Sequence, residues 1–436
     1  MMQSINLISV FHYYQLAQFP SSRIPPQVIK MSTDIKPFKI QVAESALNSV
    51  KDKLQIATFA KETDFSDDWE SGAPLGEVKR LAAYWKDGFD WRAQETELNK
   101  LPQFTSKVSV DGFDDLQIHF LHQKGNRPDS IPLLFCHGWP GSFLEVIKIL
   151  PLLTDPEDGP SFHVVAPSLP NFGFSDGVSK RGFGIPQYAE AMHKLMLNLG
   201  YQKYVTQGGD WGYAVTRMIS VQYPESCVAS HVNFVRAFGP PSFFTAPWQF
   251  IKHAILPYAD HEKAGRARTD WFFEEGFGYN LEQRTKPSTI GFALADSPVA
   301  LLAWIYEKLH DWTDNYPWTD DEILTWVSVY QFSTAGPAAS ARIYYENTHS
   351  SPEQTSKVDK YVPNVPLGLS YFPKDIVVPP QTWGRTLGPV VFEKVHPDGG
   401  HFASHERPQE LAEDLREMFG KKGGAFHVVK QFQSKL

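Results

Sequence analysis

A short run of small residues at 208–212, which reads Gly-Gly-Asp-Trp-Gly, constrains the fold of this chain most strongly. A β-prone segment precedes the run, and apolar residues at helical spacing follow it from residue 215 onward. Glycines on both sides of the central residue permit a strained turn and close packing of the helix on the strand. Strand, tight turn and helix in this order are typical of a nucleophile elbow, with Asp210 held at the top of a sheet. The alternative is that Asp210 only caps the following helix.

The pattern on both sides of this run predicts an α/β fold. Residues 131–136 form a continuous apolar run of buried-strand length, and further strand patterns occur at 162–166, 232–235, 369–372 and 390–395. Helical patterns separate these strands, which implies a mostly parallel sheet with helices on both faces.

The helical and aromatic stretch in the middle of the chain indicates an insertion into this core. We therefore divide the 436 residues into six segments. The first segment, 1–36, is an extension that we expect to be disordered. It is followed by an N-terminal arm at 37–105, the first half of the core at 106–235, a helical cap at 236–350, the second half of the core at 351–420 and an unpatterned tail at 421–436.

Composition excludes several classes of function. The net charge of −8 argues against a nucleic-acid partner. Two cysteines, Cys136 and Cys227, give no disulfide framework, so we expect a reducing, cytoplasmic location. No apolar run approaches the ~18 residues of a membrane span, and the apolar residues 5–11 lack the basic start of a signal peptide. The sequence allows either Met1 or Met31 as the natural start of translation. Neither a P-loop nor a metal-ligand cluster occurs, so we expect no cofactor and no metal.

A nucleophile elbow needs a base, an orienting acid and an oxyanion hole. In folds of this kind the chain order is nucleophile, acid, histidine. Asp375 and His401 follow predicted strands in that order, and Asp398 is a competing acid that lies close to His401 in sequence. The loop after the strand at 131–136 offers the backbone N–H of Trp139, which with that of Trp211 would form the oxyanion hole.

A second motif, Gly-Phe-Ser-Asp-Gly at 173–177, also matches the sequence form of a nucleophile elbow. It follows a loop and no helical pattern starts after it, so we interpret the match as chance.

An aspartate nucleophile favours one kind of electrophile. Carboxylate attack on a saturated carbon leaves an ester, which water activated by His401 can cleave at the carbonyl carbon of Asp210. An epoxide and an alkyl halide both fit this chemistry, and the indole N–H of Trp211 would suit a halide. Cap tyrosines such as Tyr279 and Tyr344 would suit an epoxide oxygen, although tyrosines are abundant here and packing is the alternative role.

The chain resembles the microsomal-type epoxide hydrolases, in particular their soluble, fungal-like branch, from about residue 37 to residue 420. The resemblance rests on Phe-Asp-Trp-Arg at 89–92, Leu-Asn at 98–99, Pro-Gln-Phe at 102–104, His-Gly-Trp-Pro-Gly-Ser at 137–142, Gly-Gly-Asp-Trp-Gly at 208–212, Thr-Lys-Pro-Ser-Thr-Ile-Gly at 285–291, Phe-Pro-Lys-Asp at 372–375 and Gly-Gly-His-Phe-Ala at 399–403.

This resemblance implies an α/β-hydrolase core with a helical cap, and hydrolysis of a small apolar epoxide to a vicinal diol without a cofactor. It implies Asp210 as nucleophile, His401 as base and Asp375 as orienting acid. It also implies Tyr279 and Tyr344 as lid acids, with Tyr345 as the alternative to Tyr344. No membrane anchor is implied, and a homodimer through the cap is implied by the resemblance only.

Two other functions compete with this interpretation. A haloalkane dehalogenase would release halide and would not need the pair of tyrosines. A non-catalytic, hydrolase-like binding protein would show a broken triad, whereas the triad here is complete in sequence.

Overall fold

A nine-stranded mixed sheet carries the fold in the computed structural model, which describes residues 34–433. The strand order is β1-β2-β3-β5-β4-β6-β7-β8-β9. Strands from β5 to β9 in this order are parallel, and the three strands at the other edge are antiparallel. The strands are β1 Ile35–Pro37, β2 Gln103–Val108, β3 Leu116–Gln123, β4 Ile131–Cys136, β5 Phe162–Pro167, β6 Tyr204–Gly208, β7 Cys227–Val232, β8 Leu367–Tyr371 and β9 Val390–Val395.

The central strands are buried because helices cover both faces of the sheet. Every residue of β4 and of β6 is buried. The predicted α/β class with a mostly parallel sheet is thereby confirmed. The helices of the core are α4 Leu150–Thr154, α5 Ile185–Asn198, α6 Asp210–Gln222, α14 Pro352–Thr355, α15 Gln381–Gly384, α16 Ala403–Glu406, α17 Pro408–Phe419 and α18 Phe426–Gln433.

Within residues 34–433, three helices precede the core and eight lie between β7 and β8, of which the first seven form the cap. The arm contains α1 Glu44–Gln55, α2 Leu75–Asp87 and α3 Trp91–Leu98. The cap contains α7 Pro247–Ile255, α8 Asp260–Trp271, α9 Gly278–Thr285, α10 Pro287–Asp296, α11 Pro298–Asp311, α12 Asp320–Gln331 and α13 Arg342–His349. The described residues of arm, core and cap belong to one compact unit.

The strand expected at 232–235 was placed too late in the chain. The structure has β7 at Cys227–Val232, five residues earlier at its start. The polar residues Ser230 and His231 interrupt the apolar run by which a buried strand is recognised in a sequence. Both are satisfied inside the sheet, because Ser230 pairs with Thr206 at 2.9 Å and His231 pairs with Gln207 at 2.6 Å.

Other boundaries also differ from the expectations. The strand β2 starts at Gln103, within the segment predicted as the arm, and ends at Val108, within the segment predicted as the core. The tail expected to be unpatterned forms α18, in which Val429 is buried against the core. Of the extension expected at 1–36, residues 1–33 lie outside the described residues, and the rest enters β1 beside β2.

The arm is tied to the sheet edge by one asparagine. The side chain of Asn99 accepts from the backbone N–H of Ile40 and donates to its carbonyl, both at 2.8 Å. Glu95 accepts from the N–H of Val42 at 2.7 Å. These contacts give the backbone of residues 40–42 hydrogen-bond partners outside a strand ladder.

The arm also contacts the cap. Arg80 pairs with Asp320 at 2.5 Å, and the Tyr84 hydroxyl donates to Asp321 at 2.9 Å. The ring of Trp69 stacks on His310 with centroids 3.5 Å apart. The start of α12 is thereby fixed to α2.

In residues 34–433 no single helix has the length and apolar character needed to cross a bilayer. Helices α10 and α11 reach these criteria only as a pair, and they are bent by 113° relative to each other.

We predict that Asn99→Ala destabilises the protein by about 1–3 kcal/mol, because it leaves both backbone groups of Ile40 without partners. Urea-induced unfolding measures this change. Glu97→Ala, in the last turn of α3 just before Asn99, removes only an exposed pair with Lys100 and should stay within about 0.5 kcal/mol of wild type. Equal stability of the two variants would contradict the proposed role of Asn99.

Candidate active site

Asp210 lies at the first residue of α6, directly after β6, with a left-handed backbone φ of 48°. A left-handed non-glycine residue is strained and persists only where the surroundings hold it. Gly212 allows this, because a Cβ at that position would lie 2.0 Å from the carbonyl oxygen of Cys136. The N-cap of α6 is Gly209, and no side chain caps the helix there. Helix capping by Asp210 is therefore excluded, and its carboxylate is available for chemistry.

The loop at 137–141, called the oxyanion loop below, brings a backbone donor to this carboxylate. The N–H of Trp139 donates to Asp210 Oδ1 at 2.8 Å. Gly138 is in close contact with Asp210, since a Cβ at that position would lie 2.3 Å from the Asp210 Cβ. Trp211, the second expected donor, follows Asp210 in α6.

A buried histidine orients the peptide group that carries this donor. His137 Nδ1 lies 2.8 Å from the carbonyl oxygen of Gly138, and the N–H of Leu169 donates to His137 Nε2 at 3.1 Å. The accepting role of Nε2 leaves the proton on Nδ1, which donates to Gly138. Burial lowers the pKa of His137 to about 4, so the ring is neutral. The Gly138 carbonyl and the Trp139 N–H belong to one peptide plane, so fixing one directs the other toward Asp210.

His401 lies between two carboxylates. Its Nδ1 is 2.6 Å from Asp375 Oδ1, and its Nε2 is 3.5 Å from Asp210 Oδ2. Asp375 also accepts from the N–H of Ile376 at 2.7 Å, which fixes the carboxylate toward the ring. The competing acid, Asp398, instead accepts from Arg407 at 2.8 Å. The structure thus brings together the three residues predicted in sequence as nucleophile, base and orienting acid.

The charge of His401 depends on these carboxylates. Burial lowers its pKa, but attraction to Asp375 and hydrogen bonds with Asp210 and Asp375 outweigh burial and raise the pKa to about 10. At neutral pH the ring is therefore an imidazolium. Any change that removes the charge of Asp210 takes away one of the two stabilising partners.

Tyr279 on α9 and Tyr344 on α13 lie together over the carboxylate side of the site. Their ring centroids are 5.9 Å apart at 84°. The Tyr279 ring stacks on Trp139 at 4.9 Å, and the Tyr344 ring meets Trp211 edge-on at 4.8 Å. The buried Tyr344 hydroxyl makes no hydrogen bond of normal geometry with the described residues.

Both phenols remain protonated. Burial and the charge of Asp210 raise the pKa of Tyr279 far above its ordinary value. Burial, Tyr279 and Asp210 do the same for the pKa of Tyr344. The alternative residue, Tyr345, stacks on His349 with centroids 3.9 Å apart and lies outside the pocket wall described next.

A pocket of about 270 Å³ opens onto Asp210. Aromatic and aliphatic side chains form most of its wall, and a few polar residues lie among them. The lining residues are Asp210, Trp211, Phe234, Arg236, Phe238, Phe272, Phe273, Phe277, Tyr279, Asn280, Arg284, Tyr344, Asn347, Thr348, Ile376 and Val377. Such a wall suits a molecule with an apolar part, and its polar residues can orient a polar group of that molecule.

Sequence reasoning missed Glu145, a buried carboxyl beside the oxyanion loop. The N–H of Gly138 donates to its Oε1 at 3.4 Å, and the carboxyl occupies the space that a Cβ on Gly141 would need. Burial raises the pKa of Glu145 to about 8. The signal available in the sequence was an acidic residue within the apolar stretch after Ser142.

The second elbow-like motif has no part in this site. Ser175 is buried, and its hydroxyl donates to the carbonyl of Ser168 at 2.7 Å and accepts from the N–H of His119 at 2.9 Å. In the described part of the chain, no group of three or more His, Cys, Asp or Glu residues is arranged to hold a metal ion.

Two family models match the chain. One, described as epoxide hydrolase N terminus, covers residues 35–146, and the other, described as alpha/beta hydrolase fold, covers residues 131–259. The chain is 32% identical over 411 residues to epoxide hydrolase 1 of Sus scrofa, and the match covers 88% of each protein.

Solved structures agree with these matches. The structure of Aspergillus niger epoxide hydrolase has 36% sequence identity and a TM-score of 0.76, and the match covers 91% of this chain and 96% of that one. Juvenile hormone epoxide hydrolase of the silkworm Bombyx mori has 27% identity and a TM-score of 0.78, with 93% and 96% covered.

We predict a pH-dependent contribution of His401 to stability. Its folded-state pKa of about 10 lies above the ordinary value of 6.5. The contribution is therefore fully present below pH 6.5 and is lost as the pH rises through 10, with a slope of at most about 1.4 kcal/mol per pH unit. Urea unfolding across this range should show the advantage of wild type over His401→Gln shrinking with rising pH.

The matched control is His427→Gln, which changes an exposed histidine. Its unfolding free energy should follow that of wild type at every pH. A difference between wild type and His401→Gln that does not vary with pH would contradict the prediction.

Proposed function

Because this chain belongs to the epoxide hydrolase family, we propose that Asp210 is its nucleophile, with His401 as base and Asp375 as orienting acid. Enzymes of this family add water to an epoxide and form a vicinal diol through a covalent ester on an aspartate. One observation carries the residue assignment. The Asp210 carboxylate lies at the end of an apolar pocket, with the Trp139 N–H at 2.8 Å on one oxygen and His401 at 3.5 Å from the other.

The first step forms the ester. A carboxylate oxygen of Asp210 attacks a ring carbon, and the carbon–oxygen bond of the epoxide breaks as the new bond forms. The ring oxygen becomes an alkoxide, toward which Tyr279 and Tyr344 donate hydrogen bonds. The unpartnered hydroxyl of Tyr344 supports this role, since a buried donor without a partner is costly unless a ligand supplies one.

Ester formation changes the state of the base. The ester of Asp210 carries no charge, so the pKa of His401 falls and its proton is released. This proton balances the one that the epoxide oxygen gains. The neutral ring, still held by Asp375, is then ready to accept a proton from water.

The second step cleaves the ester. Water gives a proton to His401 and its oxygen attacks the carbonyl carbon of Asp210. The negative charge develops on the carbonyl oxygen, where the N–H of Trp139 is placed to stabilise it, and we propose Trp211 as the second donor. Collapse releases the diol, whose departing oxygen takes the proton of the added hydroxyl. Asp210 is again a carboxylate and His401 an imidazolium.

The pocket supports a substrate class. Its phenylalanine-rich wall favours an epoxide with an apolar part, and among the polar residues of the wall Tyr279 and Tyr344 would orient the ring oxygen. The family assignment favours epoxide hydrolysis over the two alternatives, a haloalkane dehalogenase and a non-catalytic binding protein. A homodimer through the cap and a cytoplasmic location stay predictions.

A single turnover in oxygen-18 water tests the nucleophile. With enzyme in excess over styrene oxide, the label should enter the carboxylate of Asp210 and be absent from the diol. In the first turnover the diol keeps the epoxide oxygen and takes its second oxygen from the unlabelled aspartate. Mass spectrometry of the diol and of the peptide containing residue 210 provides the measurement. Label in the diol would indicate direct attack by water and overturn the assignment.

The matched variant is Asp210→Ala, which should abolish diol formation. Near-ultraviolet circular dichroism should show an intact fold, because the alanine leaves the elbow backbone in place. Residual turnover at the wild-type rate would exclude Asp210 as the nucleophile.

We predict that Tyr279→Phe and Tyr344→Phe each slow ester formation by about 10²-fold, because each removes one donor to the epoxide oxygen. Hydrolysis of the ester should change much less. Rapid-quench kinetics separates the two steps. Tyr345→Phe is the control and should react at the wild-type rate; an effect in Tyr345→Phe but not in Tyr344→Phe would exchange the two roles.

A further inference from the structure

Two residues of the cap helix α12 hold the far end of the oxyanion loop. The indole N–H of Trp326 donates to the carbonyl of Pro140 at 2.5 Å, and the hydroxyl of Tyr330 donates to the carbonyl of Gly141 at 2.5 Å. Both side chains are buried. They contact the loop more than 180 residues away in sequence, from a different segment of the fold.

The oxyanion loop is therefore held from two sides. At its core end, His137 fixes the peptide plane that carries the Trp139 N–H. Beyond Trp139, Trp326 and Tyr330 from the cap hold the next two carbonyls. With these contacts, the Trp139 N–H has little freedom to turn away from Asp210.

Helix α12 is itself fixed, which makes it a suitable support. Thr319 and Glu322 form a capping box at its start. Glu322 also accepts from Lys148 of the core at 2.8 Å, and Asp320 pairs with Arg80 of the arm. The helix is thus anchored to both core and arm near its first turn.

We propose that Trp326 and Tyr330 are positioning residues for hydrolysis of the ester, because they hold the oxyanion loop so that the Trp139 N–H faces the oxygen of Asp210. This inference rests on the proposed function of Asp210. It assigns to the cap a role in the second step, in addition to the tyrosines that act in the first.

The two steps make different demands on the Trp139 donor. During ester formation the Asp210 oxygens lose negative charge, so a hydrogen bond to them weakens as the reaction proceeds. During hydrolysis negative charge builds up on the carbonyl oxygen, so the same donor stabilises the transition state. A displaced donor therefore slows hydrolysis and spares ester formation.

The hydroxyl of Tyr330 stays protonated, and can therefore donate a hydrogen bond, over the working pH range. Burial, together with the charges of Glu145 and Asp210, raises the pKa of Tyr330 well above its ordinary value. The hydroxyl stays protonated and keeps its bond to Gly141.

The test compares Tyr330→Phe and Trp326→Phe with wild type, using styrene oxide as the probe. Rapid-quench kinetics and the mass of the intact protein give the separate rates of ester formation and ester hydrolysis. We expect ester formation within about twofold of wild type and hydrolysis slower by about tenfold or more, since losing one oxyanion donor costs about 10²–10³-fold and displacement costs less. The alkyl-enzyme should then accumulate during turnover.

Tyr306→Phe is the matched control, because Tyr306 lies in the cap but packs against Trp69 of the arm. It should leave both rates unchanged. Tyr330→Phe removes a single oxygen atom, and near-ultraviolet circular dichroism verifies its fold if Trp326→Phe proves unstable.

Equal slowing of both steps in Tyr330→Phe, or hydrolysis at the wild-type rate, would overturn the inference. His401→Gln separates this result from failure of the proposed function. If His401→Gln accumulates an ester on Asp210, the function stands and only the role of Tyr330 is rejected. If no ester forms in any variant or in wild type, the proposed function itself fails.

Discussion

Close packing between the end of β4 and the start of α6 is the constraint on which the rest of the site depends. With a glycine at 212, α6 begins against the carbonyl of Cys136. Asp210 is thereby held in its left-handed conformation, and the oxyanion loop that follows Cys136 leaves the sheet beside it. Asp210 and the Trp139 donor therefore both follow the ends of adjacent parallel strands, β6 and β4. The sheet brings the two groups near each other, and the contacts from α12 hold the loop beyond Trp139.

The charges of Asp210, Asp375 and His401 bear on the order of the two proposed steps. Asp375 and Asp210 both lie beside His401. On the proposed mechanism, Asp375 keeps its charge throughout, whereas Asp210 loses its charge when the ester forms. A ring that began the cycle as a neutral base would not need this arrangement. On the proposed mechanism, the imidazolium is stable until the ester forms and becomes a base only when there is an ester to hydrolyse. The raised pKa of His401 is therefore compatible with the proposed role of this residue as a base.

The fold class was predictable from sequence because it depends on local patterns, and the three residues that the sequence suggests as a triad lie together in the structure. β4 reads as an apolar run, and Asp375 and His401 follow strands in the order that the fold requires. β7 was misplaced because the partner of His231 lies in a neighbouring strand, where a one-dimensional pattern cannot reveal it. Glu145 pairs with a backbone N–H, and Tyr330 reaches a carbonyl 189 residues away. Hydrogen bonds between a side chain and the backbone produce no periodic pattern in the sequence from which they could be predicted.

Trp312 packs edge-on against His401, with ring centroids 5.1 Å apart. An imidazolium accepts an electron from an excited indole more readily than a neutral imidazole does, so we expect a charged His401 to dim the emission of Trp312. On the proposed mechanism, loss of that charge on ester formation would brighten the emission. Among the twelve tryptophans of the chain, this indole is in direct contact with the base. Trp312 would then report each turnover without a label or a chromogenic substrate.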